Sequence, residues 1–225
     1  MKHLLDNIIW NSLSGPQQGF SVGTSRARRY TRGFSPIVGF ADPDHPHFPD
    51  LLPYCEPDEH FYVERWAGTA PEGWQIDVES RMRKMIWEGP TPETDEAPDA
   101  IALGVEHAVQ AMALAQLTQP GPFGLRTIEL GEYYGYFEGS RLIAMAGERM
   151  HAGTLREISG VCTHPDFQGR GHARRLMRKL IRIQMQRGQT PFLHVMSANT
   201  GAHALYVKMG FVDYREVVVR VISRR

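Results

Sequence analysis

Apolar and polar positions recur along this chain with two different periods, and the changes of period mark its elements. Leu155 to Thr163 reads as a strand, and His164-Pro165-Asp166 as the break after it. Ala173, Leu176, Leu180 and Ile183 then fall at helical spacing, while Arg174, Arg175, Arg178, Lys179 and Arg182 take the other face. Gly188 is a natural stop. Pro191 to Met196 predicts another strand, a short helix follows near Ala202 to Met209, and Gly210-Phe211 opens a last strand rich in valine. Upstream, the spacing of Ala108, Met112 and Ala115 predicts a helix over 100–118. Strands are expected near Arg126 to Glu132 and over Tyr133 to Glu148, with a turn at Glu138-Gly139.

The first half carries weaker patterns. Phe34 to Phe40 and His60 to Trp66 predict strands, and Trp74 to Trp87 mixes both periods. A proline-rich connection runs from Asp42 to Asp50. A second, acidic one runs from Gly89 to Asp99 and reads as a linker. These breaks predict two regions, an N-terminal α/β region at 1–97 and a second domain at 98–225.

Charge narrows the options. The 225 residues hold 25 Lys plus Arg against 25 Asp plus Glu, so no global field favours nucleic acid or a membrane surface. No apolar run spans a bilayer. Met1 to Asp6 lacks the core of a secretory leader. Cys55 and Cys162 are far apart and no Cys-x-x-Cys occurs, which suits a reducing cytoplasm. The ten histidines, His45 and His47 among them, show no zinc-ligand spacing, so no metal is expected.

Candidate chemistry centres on Gln168-Gly169-Arg170-Gly171-His172-Ala173. A glycine-rich turn between a strand and a helix exposes backbone N–H groups without carbonyl partners, and the helix N-terminus adds partial positive charge. That suits a phosphate or pyrophosphate. The turn lacks the Gly-Lys-Ser/Thr ending of a P-loop and the third glycine of a dinucleotide site.

Two motifs in order, this turn and Asn199-Thr200-Gly201-Ala202-His203-Ala204-Leu205-Tyr206 before Gly210-Phe211, resemble the GCN5-related N-acetyltransferase (GNAT) superfamily over about Ile101 to Ile222. The wording Glu157 to Pro165 is most similar to its FR47-like branch, related to glycine acyltransferases. The resemblance implies an α/β (α+β) fold with a mixed, mostly antiparallel sheet flanked by helices. By the same analogy, the first half is a degenerate copy of that fold. If it covers the acceptor, truncation near Pro98 spares cofactor binding and abolishes turnover.

The resemblance also implies acetyl-CoA as co-substrate. Its pyrophosphate would rest on Gly169, Arg170, Gly171, His172 and Ala173, beside Gln168, with Arg174 adding charge unless it belongs to a solvated helix face. Its pantetheine arm and acetyl oxygen would meet Val161, Cys162 and Thr163 where their strand splays from its neighbour. Asn199 would contact the cofactor or cap the second helix. Glu157, eleven residues before Gln168, matches the family's catalytic glutamate. Burial would raise its pKa and make it a better base; otherwise it is a structural glutamate paired with Arg156 or Arg126. Glu148 or ordered water is the fallback. Tyr206 matches the tyrosine that protonates the leaving thiolate, or is a core tyrosine. Cys162 reads as a small strand residue rather than a nucleophile. Phe123, in the Leu117 to Gly124 loop, either lines the acceptor pocket or anchors a turn. Tyr133, Tyr134 and Tyr136 either reach substrate or pack the sheet. His164 and His194 read as ordinary strand residues.

The expected activity is direct acetyl transfer to the primary amine of a small molecule or amino acid. A non-catalytic acyl-CoA sensor and a protein-modifying acetyltransferase are the alternatives. The acceptor and the oligomeric state, a homodimer included, stay open.

Overall fold

A computed structural model describes residues 2–225; Met1, part of the segment read as lacking a leader, lies outside them. The chain runs α1 (Ile8–Leu13), β1 (Ser21–Gly23), β2 (Ala27–Tyr30), β3 (Val38–Phe40), β4 (His60–Glu64), β5 (Trp74–Trp87), β6 (Ile101–Leu103), α2 (Ala108–Thr118), β7 (Tyr133–Glu138), β8 (Arg141–Ala152), β9 (Leu155–Thr163), α3 (His172–Gln186), β10 (Thr190–Met196), α4 (Thr200–Met209) and β11 (Phe211–Arg224). Strands β1–β3 form a small sheet. The others form one eight-stranded sheet in the order β4-β11-β5-β10-β9-β8-β7-β6. Only the β9–β10 pair in that sheet is parallel, so the sheet is mixed and mostly antiparallel, with helices on its faces.

Strand periodicity sends alternate residues to opposite faces. Met85, Leu193 and Ile158 join Leu176, Met177, Leu180 and Ile181 of α3 in one core. Their neighbours Ile86 and Phe192 turn the other way, onto Leu5, Ile8, Ile9 and Leu13 of the N-terminal segment. Removing a leucine of this kind from water contributes about 2 kcal/mol. The buried stripe of α3 runs through Ile181 and Gln184 rather than Ile183. Gln184 tolerates burial because its Nε2 donates to Glu148 Oε1 at 2.9 Å.

The sheet crosses the expected boundary at 97/98. Strand β5 pairs along its length with β11 and with Phe192 to Met196 of β10. The mixed signal over 74–87 is thus a long interior strand. No second large sheet exists among the described residues: the first half gives three short strands and two members of the one large sheet.

Local chemistry explains three further departures. The strand expected at 126–132 is a 3-10 turn, Thr127–Leu130, because the Thr127 hydroxyl accepts from Gly124 N at 2.8 Å and holds the chain in a turn. The helix expected from residue 100 begins at Ala108, because Gly104 breaks the run after β6. The strand expected over 34–40 shortens to Val38–Phe40 behind Pro36, which has no N–H to give a ladder.

The acidic connection 89–99 is not a free linker. Asp95 pairs with Lys179 at 2.5 Å, Glu96 with Arg174 and Arg178 at 2.9 Å, and Asp99 with Arg175 at 2.7 Å. This segment therefore pairs with Arg174, Arg175, Arg178 and Lys179 of the basic face of α3. No described helix is long and apolar enough to cross a membrane.

A fragment of residues 98–225 loses β5 and exposes the edges of β10 and β11. It is expected to show no cooperative thermal unfolding by circular dichroism, while the full chain melts sharply. A sharp transition in the fragment would overturn this account of the sheet.

Candidate active site

Strands β9 and β10 pair only at Thr190↔Leu155, Pro191↔Arg156 and Phe192↔Glu157. Beyond Glu157 they part, although β9 continues to Thr163 and β10 to Met196. A cavity of about 1070 Å³ opens in this fork. Its walls include Ser159 to Thr163 of β9, His194 to Met196 of β10, the glycine turn, and Asn199 and Tyr206. The splay leaves backbone N–H and C=O groups of β9 without a sheet partner on the cavity side.

Two irregularities shape β9. On one side Ala146 alone faces Gly160 and Val161, between the pairs Met145↔Cys162 and Gly147↔Ser159. Gly160 has φ +62°, and a Cβ there would come within 3.1 Å of the Tyr133 ring and 3.3 Å of the Phe123 ring. Only glycine suits that bulge. Further along, Arg149 and Met150 of β8 face Glu157 alone. This second bulge lets the Arg149 guanidinium meet the carboxylate. Nη2 donates at 2.7 Å and Nε at 3.0 Å, and Met150 N adds a third bond at 3.2 Å.

The glycine turn has the conformation its sequence requires. Gly169 has φ +74° and Gly171 φ +80°, and no protein atom would lie within 4 Å of a Cβ at either. Gly171 is the residue before α3, whose first N–H groups lack intrahelical acceptors. Gln168, Gly169, Gly171, His172 and Ala173 line the cavity, as do Val161, Cys162, Thr163 and Asn199. Arg170 does not: its guanidinium lies 4.8 Å from the Phe167 ring centre and donates to Asp166 O at 3.3 Å. Thr163 Oγ1 and His172 Nδ1 are buried without protein partners. Burial and the charges of Arg175 and Arg170 hold the His172 pKa below its ordinary value, which keeps the ring neutral. Asn199 caps α4, its side chain accepting from Ala202 N at 3.1 Å.

Glu157 lies at the vertex of the fork, 1% exposed. The expectation that burial lifts its pKa needs correction. Burial is the largest single influence and does push upward, but the Arg149 charge and the hydrogen bond with His194 outweigh it, bringing the pKa down to about 2. Its arginine partner is neither of those expected. Arg156 turns to His151 and Glu148, and Arg126 to Glu129. Glu148 is buried against Gln184 and is absent from the cavity wall. Tyr206 lines the cavity, and burial raises its pKa to about 12, so the phenol keeps its proton at neutral pH. Burial likewise raises the Cys162 thiol to about 11, which suits a packing role. Phe123 lines the cavity and packs edge-on to Tyr133 at 6.0 Å. Tyr133, Tyr134 and Tyr136 pack the sheet and are absent from the wall.

Three charged residues of the site escaped the sequence reading, as did the weight of a fourth residue, His194. His194 Nδ1 lies 2.7 Å from Glu157 Oε1. Its Nε2 lies 3.9 Å from Glu64 Oε2 of β4, and Glu64 Oε1 accepts from Lys84 Nζ of β5 at 2.6 Å. Lys84 Nζ also donates to Leu5 O at 2.7 Å. Arg149, Glu157, His194, Glu64 and Lys84 form one buried line through the sheet. The available signal was a single ionisable residue inside an otherwise apolar strand, as in Phe192-Leu193-His194-Val195; Lys84 follows Arg83 in a strand with several charges and carried no such signal. Among the described residues no His/Cys/Asp/Glu cluster could hold a metal ion.

Residues 133–221 match the model of the FR47-like protein family. A solved structure from Novosphingobium aromaticivorans, assigned to the GNAT family of acetyltransferases, is 35% identical, covers 99% of each chain and has a TM-score of 0.90. A GCN5-related N-acetyltransferase-like protein from Streptococcus suis shares the fold at 15% identity, with TM-score 0.61 over 97% of this chain and 92% of that one. A GCN5-related N-acetyltransferase from Kribbella flavida does so at 15% identity, with TM-score 0.58 over 97% and 96%. No curated protein matches the chain.

The Glu157 pKa generates a pH prediction. A carboxyl lowered on folding contributes stability that is complete above its ordinary value near 4.5 and is lost as pH falls through about 2. Thermal melts should show the wild type losing stability over that window and Glu157→Gln a shallower acid decline; parallel declines would count against the pairing. Arg149→Met, which leaves Glu157 buried without its cation, should cost about 3–5 kcal/mol in denaturant unfolding.

Proposed function

The chain belongs to the GNAT family of acetyltransferases, and on that premise we propose that it moves an acetyl group from acetyl-CoA to a primary amine of a small molecule or amino acid, by direct transfer in a ternary complex. The observation that carries this reading is the shape of the cavity. It runs from the glycine turn through the fork to Ile9, Pro36, Ile37 and Tyr62. Those residues of the first half line it together with Pro120 to Phe123. A space lined from both halves of the chain suits a small acceptor, whereas a protein substrate calls for an open groove.

The residues fit acetyl-CoA, which supplies an acetyl group activated as a thioester. Gly169, Gly171, His172 and Ala173 offer unpartnered N–H groups and room for a pyrophosphate. Val161, Cys162 and Thr163 offer the free backbone edge of β9, and the buried Thr163 Oγ1 supplies a further polar contact. Fixed N–H dipoles there would stabilise negative charge developing on an acyl oxygen. Tyr206 holds a proton at neutral pH at the wall of the same cavity and serves as the acid for the departing sulfur. Arg174 lines the same cavity while pairing with Glu96 at 2.9 Å, so in this reading it adds charge beside the backbone N–H groups. Cys55 and Cys162, both free and buried, support a reducing cytoplasm.

Release of free CoA thiol from acetyl-CoA across a panel of amines and amino acids tests the proposal. Amine-dependent release is expected from the wild type. Tyr206→Phe should lower it about 10²- to 10⁴-fold while acetyl-CoA still raises the melting temperature. A wild type that is stabilised by acetyl-CoA yet releases no thiol with any amine would turn the reading towards a sensor or a protein substrate.

A further inference from the structure

Two residues of the cavity lining, His194 and Glu64, each have one side-chain atom without a hydrogen-bond partner. His194 Nε2 and Glu64 Oε2 are buried without hydrogen-bond partners, 3.9 Å apart, on side chains 6% and 3% exposed. Both residues line the cavity. The second atom of each group is already engaged. His194 Nδ1 meets Glu157 at 2.7 Å, and Glu64 Oε1 meets Lys84 at 2.6 Å.

These partners settle which atoms carry hydrogen. Glu157 receives two bonds from Arg149 and one from Met150 N, so it is an ionised carboxylate and can only accept. The ring therefore carries a hydrogen on Nδ1, donated to Glu157. Glu64 Oε2 lies beside its Nε2. Leaving two polar atoms buried side by side without a hydrogen bond is costly. The complementary group carries at least two N–H bonds on one nitrogen. Around the ring stand Glu157 on β9, Glu64 on β4, Lys84 opposite His194 in register on β5, and Arg149 behind Glu157 on β8.

We infer that His194 Nε2 and Glu64 Oε2 clasp the acceptor amine, that His194 is the catalytic residue receiving its proton, and that Glu157 is the positioning residue that fixes the ring. The inference rests on the acyl-transfer reading above and names the groups that set its acceptor class. The step balances. An ammonium R–NH3⁺ gives one proton to Nε2, which later passes it to solvent. The nitrogen lone pair forms the N–C bond as the C–S bond breaks, with its electron pair going to sulfur. Tyr206 protonates the sulfur, and the second proton shed by nitrogen restores the phenol. The products are the N-acetyl amine, the thiol and one released proton.

The test has two readouts on the full chain. Imidazole ¹⁵N NMR, with His194→Gln used to assign the signal, should show His194 as the Nδ1–H tautomer with a bare Nε2; an Nε2–H tautomer overturns the inference. Thiol release with the best amine of the panel is then followed from about pH 6.5 to about 9.5. His194→Gln should lose about 10²- to 10⁴-fold in kcat/KM near neutral pH, and the deficit should shrink as the amine deprotonates unaided. Acetyl-CoA should still raise its melting temperature, and His194→Asn replaces it if the glutamine variant does not fold. A variant that keeps the wild-type rate and pH profile overturns the inference alone and leaves acyl transfer standing. A wild type that transfers to no amine overturns both.

Discussion

Five ionisable groups buried in a line through the sheet constrain this molecule more than any single apolar contact. Burying a charge without a partner costs several kcal/mol, so Arg149, Glu157, Glu64 and Lys84 must each be matched within hydrogen-bond reach. The matching dictates backbone. Arg149 reaches Glu157 only because β8 bulges opposite it. Lys84 reaches Glu64 only because β5 and β4, from the first half, join the same sheet as β9 and β10. The line ends on backbone carbonyls at both sides, Leu5 O and Pro122 O, tying the N-terminal segment and the 117–124 loop to the site.

The same arrangement opens the cavity. Pairing of β9 with β10 stops at Glu157, where the line of charge crosses. Beyond that point backbone groups that a sheet would have consumed are left for a ligand, and the bulge at Gly160 turns β9 further. The helix following the glycine turn points its unpartnered N–H end at the same space. Stability and function thus draw on one feature: a sheet interrupted at a vertex that buried charge holds in place.

Much of this was legible in the chain. The turn at 168–173, the strands on either side of α3 and the Asn199 to Tyr206 helix follow from local periodicity and turn residues, and the acetyltransferase architecture was implied by the resemblance of the two motifs to the GNAT superfamily. The first half was less legible. Trp74 to Trp87 sits between β10 and β11, so its two faces meet different cores and its alternation is blurred. The acidic connection looked like a linker because Asp95, Glu96 and Asp99 show their purpose only beside the basic face of α3. Thr127 turned an expected strand into a 3-10 turn through one side-chain bond.

The residues of the candidate site divide in the same way. Glycine conformations, helix caps and strand ends depend on neighbours within a few positions, so the sequence by itself determined the glycine turn and the places of Asn199, Tyr206 and Glu157. The state of Glu157 depends on Arg149 and His194, on two other strands, and the surroundings of His194 depend on Glu64 and Lys84, more than a hundred positions away. Electrostatic pairing acts through space at a few ångströms and carries no local periodicity. Only the tertiary structure decided that Arg149 holds Glu157 as an anion and that His194 and Glu64 meet beside the cavity.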